Sequence, residues 1–145
     1  MPTDTAAEAL PVVMLDTSAA IALLAEDHEA HAATLDAIRG RRLGLAGHAW
    51  FETYSVLTRL PAPLRRSPAD AARLLAHDFP ATGFLAEAET AGLGAELARL
   101  GISGGAVYDA LVGAAARQHG RPLVTGDVRA KPVYEALGVE IEIVS

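Results

Sequence analysis

Four acids in this 145-residue chain stand where chemistry, more than solubility, would put them. Asp16 ends the apolar run Val12-Val13-Met14-Leu15 and is followed by the hydroxyls of Thr17 and Ser18, and Asp127 closes Leu123-Val124-Thr125-Gly126 in the same way. An apolar run too short for a helix and bounded by polar residues reads as a strand buried on both faces of a parallel sheet. Ligands of such sheets bind outside the carboxyl ends of the strands, so both acids are site candidates. Asp109 has Gly105, Ala106, Val112 and Gly113 three and four residues away, and an ionised carboxylate among small apolar neighbours is costly unless it is paired or meets a cation. The same glycines would let a backbone or a bulky ligand approach closely. Glu52, with Ala49, Ser55 and Val56 at helical spacing, lies beside an apolar face. Each acid also has a plainer reading: a helix N-cap for Asp16, a Gly-Asp turn for Asp127, an arginine partner for Asp109.

Taken together the four point to one kind of chemistry. Two carboxylates about 5 Å apart repel by roughly 3 kcal/mol at an effective dielectric near 20, so four at one sheet edge need a counter-cation or bound protons. Hard oxygen donors, with no cysteine and no paired histidines, select Mg²⁺ or Mn²⁺ over zinc. Such a cluster serves phosphodiester hydrolysis, in which the cation activates water and stabilises the attacking and leaving oxygens. Asp16, Asp109 and Asp127 are the expected metal ligands and Glu52 a further catalytic acid. Thr17, Ser18 and Thr125 are expected to fix carboxylate orientation from behind. Neutralising Asp16 with asparagine is expected to leave the fold intact or more stable, because it relieves repulsion.

The elements that must position these residues follow from pattern. The first strand, ending at Leu15, runs into a helix through Leu24, and Asp27 or His28 starts another that Gly40 stops. Arg42–Gly47 reads as a short strand, His48–Leu60 as a helix ended by Pro61 and Pro63, and Ser67-Pro68 as the cap and first position of the next. Thr82–Leu85 is a possible strand. Glu87–Leu100 and Ser103–His119 are helices closed by Gly101 and Gly120. Leu123–Thr125 is a strand, Pro132–Leu137 a short helix, and Val139–Val144 a last strand. Strands separated throughout by helices give a three-layer α/β/α fold with a central, mainly parallel sheet of four to five strands. Residues 1–11 read as a loose tail and 12–145 as a single domain.

Composition narrows the class. The chain has no cysteine, so thiolate chemistry and disulfides are excluded. No run approaches eighteen apolar residues, which argues for a cytoplasmic protein and against a membrane span. A net charge of -6 suits bulk nucleic-acid binding poorly, though acids gathered around a cation count for less. Arg39, Arg41 and Arg42, with Arg59, Arg65 and Arg66, are the candidates for phosphate contacts. With 51% apolar and 21% charged residues, the helices Ser67–Ala76 and Glu87–Leu100 are expected to leave apolar surface for an interface.

The order Leu15-Asp16-Thr17-Ser18, then Phe51-Glu52-Thr53-Tyr54-Ser55-Val56-Leu57-Thr58-Arg59-Leu60-Pro61, then Asp109-Ala110-Leu111-Val112, then Thr125-Gly126-Asp127 resembles the PIN domain. More narrowly it resembles the VapC toxins of bacterial toxin-antitoxin pairs, over nearly the whole chain from Val12. The resemblance implies a Mg²⁺-dependent endoribonuclease with Asp16, Glu52, Asp109 and Asp127 as its acidic motif and Thr125 at the usual hydroxyl position. It also implies an RNA substrate, a homodimer, and a cognate VapB-type antitoxin whose tail occupies the active site. Two enzyme-like rivals fit less well. A receiver domain expects an adjacent acid pair early and a lysine ending a late strand, whereas Lys131 follows Asp127; a phosphatase of the Asp-x-Asp-x-Thr type needs a second acid at Ser18. A catalytically silent domain acting only by partner binding is disfavoured by the presence of all four acids.

Overall fold

A computed structural model describes residues 10–145 of the chain. The expected tail therefore falls largely outside the described residues. Four strands, β1 (Val12–Leu15), β2 (Arg42–Leu45), β3 (Leu123–Thr125) and β4 (Ile141–Ile143), form one sheet in the order β2-β1-β3-β4. All its pairings are parallel. Seven helices are found among the described residues: α1 (Thr17–Leu24), α2 (His31–Ile38), α3 (Ala49–Arg59), α4 (Pro68–Asp78), α5 (Glu87–Leu100), α6 (Ala106–Gln118) and α7 (Lys131–Ala136). Chain order reverses between β1 and β3, so the crevice at their carboxyl ends is the topological switch point of the sheet.

Side-chain alternation divides the core. Val13 and Leu15 of β1, with Val124 of β3, face a cluster built with Ala19, Ala20, Leu57, Leu75 and Phe79. Met14 and Leu123 face the opposite cluster, which contains Ala110, Ala114, Ala115, Tyr134 and Leu137. Both sheet faces are thus covered, which explains why β1 and β3 read as continuous apolar runs rather than alternating ones.

Three expectations need correction. Thr82–Leu85 is not a strand: only Ala46 and Gly83 bridge, because the Thr82 hydroxyl takes the Leu45 N–H at 3.0 Å in place of a main-chain carbonyl. Gly44 is what admits this segment, since a Cβ there would stand 2.2 Å from Ala81 O. The second helix begins at His31 rather than Asp27 or His28, since the His28 ring accepts the Ala30 N–H and holds a turn there. Finally, the large apolar side chains left exposed are not on α4 or α5. They include Phe51, Leu64, Phe84, Tyr108 and Val128, while α5 turns alanine, glycine and glutamate outward and buries Leu93.

Candidate active site

Asp16 occupies the last position before α1 and caps it, accepting the Ala19 N–H at 3.0 Å. The N-cap reading of this residue is therefore correct, yet it accounts for only part of what the carboxylate does. Its Oδ1 also accepts from Ser18 Oγ at 2.6 Å. Oδ2 accepts from Thr125 Oγ1 and, at 2.9 Å, from the Tyr134 hydroxyl. Asp16 is 3% exposed and Tyr134 1%, so this is a buried carboxylate held by three hydroxyls and a main-chain amide. Such charge-assisted bonds fix its orientation and offset its burial. Burial and the neighbouring Asp16 charge push the Tyr134 phenol far above its ordinary range, so it remains a proton donor.

Ser18 and Thr125 link this carboxylate to the end of β3. Ser18 Oγ accepts the Gly126 N–H at 2.9 Å, and Thr125 Oγ1 accepts the Asp127 N–H at 3.0 Å. Asp127 caps the 3₁₀ turn Val128–Ala130 through the Arg129 N–H, and its carboxylate lies 3.4 Å from Arg129 Nε. The Thr17 hydroxyl is buried with no partner at hydrogen-bond distance; it faces Glu52 closely enough to favour that residue's ionised form.

Glu52 and Asp109 meet these strand-end acids from α3 and α6. Loss of solvation raises the Glu52 carboxyl above its ordinary value; His48, 3.6 Å away, counteracts this, and the Asp16 charge adds to it. Asp109 is raised first by loss of solvation, then by Asp127, Glu52 and Asp16, with Arg129 opposing. Asp109 thus feels all three other acids, and among the described residues no arginine is paired with it. Among the described residues no three acid or histidine side chains already form a metal-binding group. The donor set nevertheless suits a hard divalent cation, being all carboxylate, mutually repulsive and half-exposed at Glu52 and Asp109, where side chains can turn inward.

Glu52 and Asp109 line a pocket of about 620 Å³ with His48, Gly105, Ala106, Tyr108, Arg129 and Val133. The two glycines flagged near Asp109 divide in role. A Cβ at Gly105 would meet nothing within 4 Å, so this position opens onto the pocket, whereas a Cβ at Gly113 would stand 3.0 Å from the Tyr134 ring. Gly113 therefore makes room for Tyr134 and not for a ligand.

The arginines do not gather here. Arg42 pairs with Val12 at the amino end of the sheet. Arg41 bonds Glu142 at 2.7 Å and Arg39 bonds Asp36 at 3.0 Å. Arg59 is in the last turn of α3, Arg65 donates to Leu60 O, and Arg66 lines an apolar groove with Leu24, Leu57 and Leu74, toward the far ends of α1 and α3. Sequence reasoning missed Tyr134, His48 and Arg129. Tyr134 had one available signal, a tyrosine in the short helix that follows Asp127.

The PIN domain family model matches residues 13–136. Ribonuclease VapC27 of Mycobacterium tuberculosis (strain ATCC 25618 / H37Rv) is 50% identical over 133 residues, covering 92% of this chain and 97% of that protein. Ribonuclease VapC40 of Mycobacterium tuberculosis (strain CDC 1551 / Oshkosh) is 45% identical over 132 residues, covering 90% and 97%. In structure the chain is similar to the crystal structure of VapBC2 from Rickettsia felis bound to a DNA fragment from their promoter, with a TM-score of 0.66 at 14% identity and coverage of 92% and 99%.

Proposed function

The chain belongs to the PIN domain family, and from that premise we propose that it is the toxin of a type II toxin-antitoxin pair, a metal-dependent endoribonuclease that hydrolyses RNA phosphodiester bonds. The observation that carries this reading is the meeting of four carboxylates at the switch point of the sheet, where Asp109, raised first by loss of solvation, is raised further by Asp127, Glu52 and Asp16. Repelling carboxylates at the place where α/β sheets bind ligands are a site prepared for a cation.

Asp16, Asp109 and Asp127 would hold Mg²⁺ or Mn²⁺, with Glu52 beside them. When bound, the cation supplies Lewis-acid polarisation of phosphoryl oxygens and makes water easier to deprotonate. The chain's own contributions are distinct. Tyr134, Thr125 and Ser18 hold Asp16 in one orientation. Glu52, half-buried and raised, is suited to take up a proton. Arg129, on the pocket wall and highly exposed at its side chain, is free to swing from Asp127 toward a phosphate.

The reading also includes a cytoplasmic location, a homodimer, and a VapB-type antitoxin. No helix among the described residues is long and apolar enough to cross a membrane. The exposed side chains of Phe51 and Phe84, with ring centroids 5.9 Å apart, offer apolar surface for a partner. Incubation of the purified chain with a mixed RNA pool in Mg²⁺, in Mn²⁺ and in EDTA tests the activity. Cleavage in either metal and none in EDTA is expected; a folded chain that cuts nothing in metal is instead a partner-binding domain. Light scattering at micromolar concentration, with and without the protein encoded beside it, tests the assembly.

A further inference from the structure

The pocket beside Asp109 has an aromatic wall that the acid chemistry leaves unused. His48, the N-cap of α3 one turn before Glu52, and Tyr108, adjacent to Asp109 on α6, stack with ring centroids 5.3 Å apart and planes 24° apart. The imidazole covers one face of the tyrosine ring, yet Tyr108 stays 54% exposed. Both rings line the same pocket as Glu52, Asp109 and Arg129, and the space beside Gly105 is open.

A contact that does not rely on charge suits this pocket. The substrate is a polyanion and the site is a ring of carboxylates. Few basic side chains line the pocket: Arg129 rests 3.4 Å from Asp127 and would have to leave it to reach a phosphate, and the His48 ring lies 3.6 Å from Glu52. The arginines expected to grip phosphates are elsewhere, and Arg39 and Arg41 are paired with acids of their own. Stacking does not depend on charge, since every base presents a π face, and single-stranded RNA is commonly held on aromatic side chains.

We infer that Tyr108, braced by His48, is the platform on which a nucleobase next to the scissile phosphate stacks, which makes it a positioning residue that influences base preference. The inference rests on the ribonuclease reading of the same pocket and adds what grips the substrate beside the acids. Adjacent helix residues project about 100° apart, so Tyr108 and Asp109 serve the base and the phosphate of one substrate from neighbouring positions.

The test uses single-stranded ribohexamers carrying 2-aminopurine at each position in turn, and an abasic ribose-phosphate hexamer. Each is titrated in calcium buffer with the full chain and checked intact afterwards. At one position the wild type and Tyr108→Phe should quench the fluorophore and bind within about twofold of each other. Tyr108→Ala should lose the quench and at least about fivefold in affinity, with unchanged affinity for the abasic hexamer. Phe51→Ala, which removes an equally exposed ring outside the pocket wall, should behave as wild type. An unaltered Tyr108→Ala, an equal loss on the abasic hexamer, or an equal loss in Phe51→Ala overturns the platform. Cleavage in Mg²⁺, measured in parallel, separates the two readings: a wild type that cuts RNA while Tyr108→Ala binds normally removes only the platform, and a wild type that cuts nothing removes the nuclease.

Discussion

The two halves of the acid site are built on opposite principles. At the strand end, Asp16 is buried and accepts four hydrogen bonds, from Ser18, Ala19, Thr125 and Tyr134. At the helical rim, Asp109 and Glu52 are half-exposed and raised by lost solvation and by their fellow acids, with Arg129 opposing at Asp109 and His48 and Thr17 opposing at Glu52. The first half has its charge compensated by the fold, and therefore helps to hold the fold together. The second has its charge left uncompensated, which is what the proposed cation site needs. On that proposal Asp16 is the rigid ligand and the rim acids are the ones that adjust.

Substitutions on each side should separate these principles, and the largest effect belongs to Asp16. Asp16→Asn should abolish cleavage and lower stability by about 3 kcal/mol, because an amide nitrogen placed among these donors leaves at least two of them unmatched. This reverses the expectation from charge relief alone. Urea melts of the purified variant decide it, and a variant as stable as wild type would collapse the contrast between the two halves. Tyr134→Phe comes next, with a loss of about 1.5 to 3 kcal/mol for a buried bond to a charged group. Because Asp16 then loses an orienting partner, cleavage should fall by roughly ten- to a hundredfold; denaturation and initial rates report the two together.

Asp109→Asn should also end cleavage, with the opposite sign in stability. The raised Asp109 carboxyl favours the fold while protonated, so its contribution is intact below about pH 3.8 and is lost as pH rises through the elevated value. At pH 7 the asparagine variant should be more stable, by at most about 1 kcal/mol given solvent screening, and the gain should vanish near pH 3.5. Thermal melts at both pH values check the sign. Glu52→Gln should show the smallest change, a several-fold slower cleavage and a higher Mg²⁺ requirement, read from rate against metal concentration. An unchanged curve would make Glu52 a bystander of the rim.

How much of this was legible in the residues varies by element. The helix over Glu87–Leu100 and the strand over Leu123–Thr125 stand where the pattern put them, because caps, glycine stops and apolar runs are local signals. Thr82–Leu85 failed because a hydroxyl displaced a main-chain bond, which no local pattern encodes. The convergence of the four acids around Asp109 was legible because a charge in an apolar setting is conspicuous in one dimension. Arg39, Arg41 and Arg42 misled because a basic loop looks the same at either end of a sheet, and here it lies at the amino end of β2.

By itself, then, the sequence determined the class of fold, the four acids, their hard-oxygen character and the hydroxyls of Ser18 and Thr125. Only the tertiary structure decided that Asp16 is held from behind by Tyr134, 118 residues away, that Gly113 exists to admit that ring, and that His48 and Tyr108 stack beside the acids. The physical reason is the same in each case. Burial cost and backbone periodicity are properties of neighbouring residues, whereas a hydrogen bond from α7 to the cap of α1, or a ring contact between the ends of α3 and α6, depends on how the sheet brings distant segments to one end.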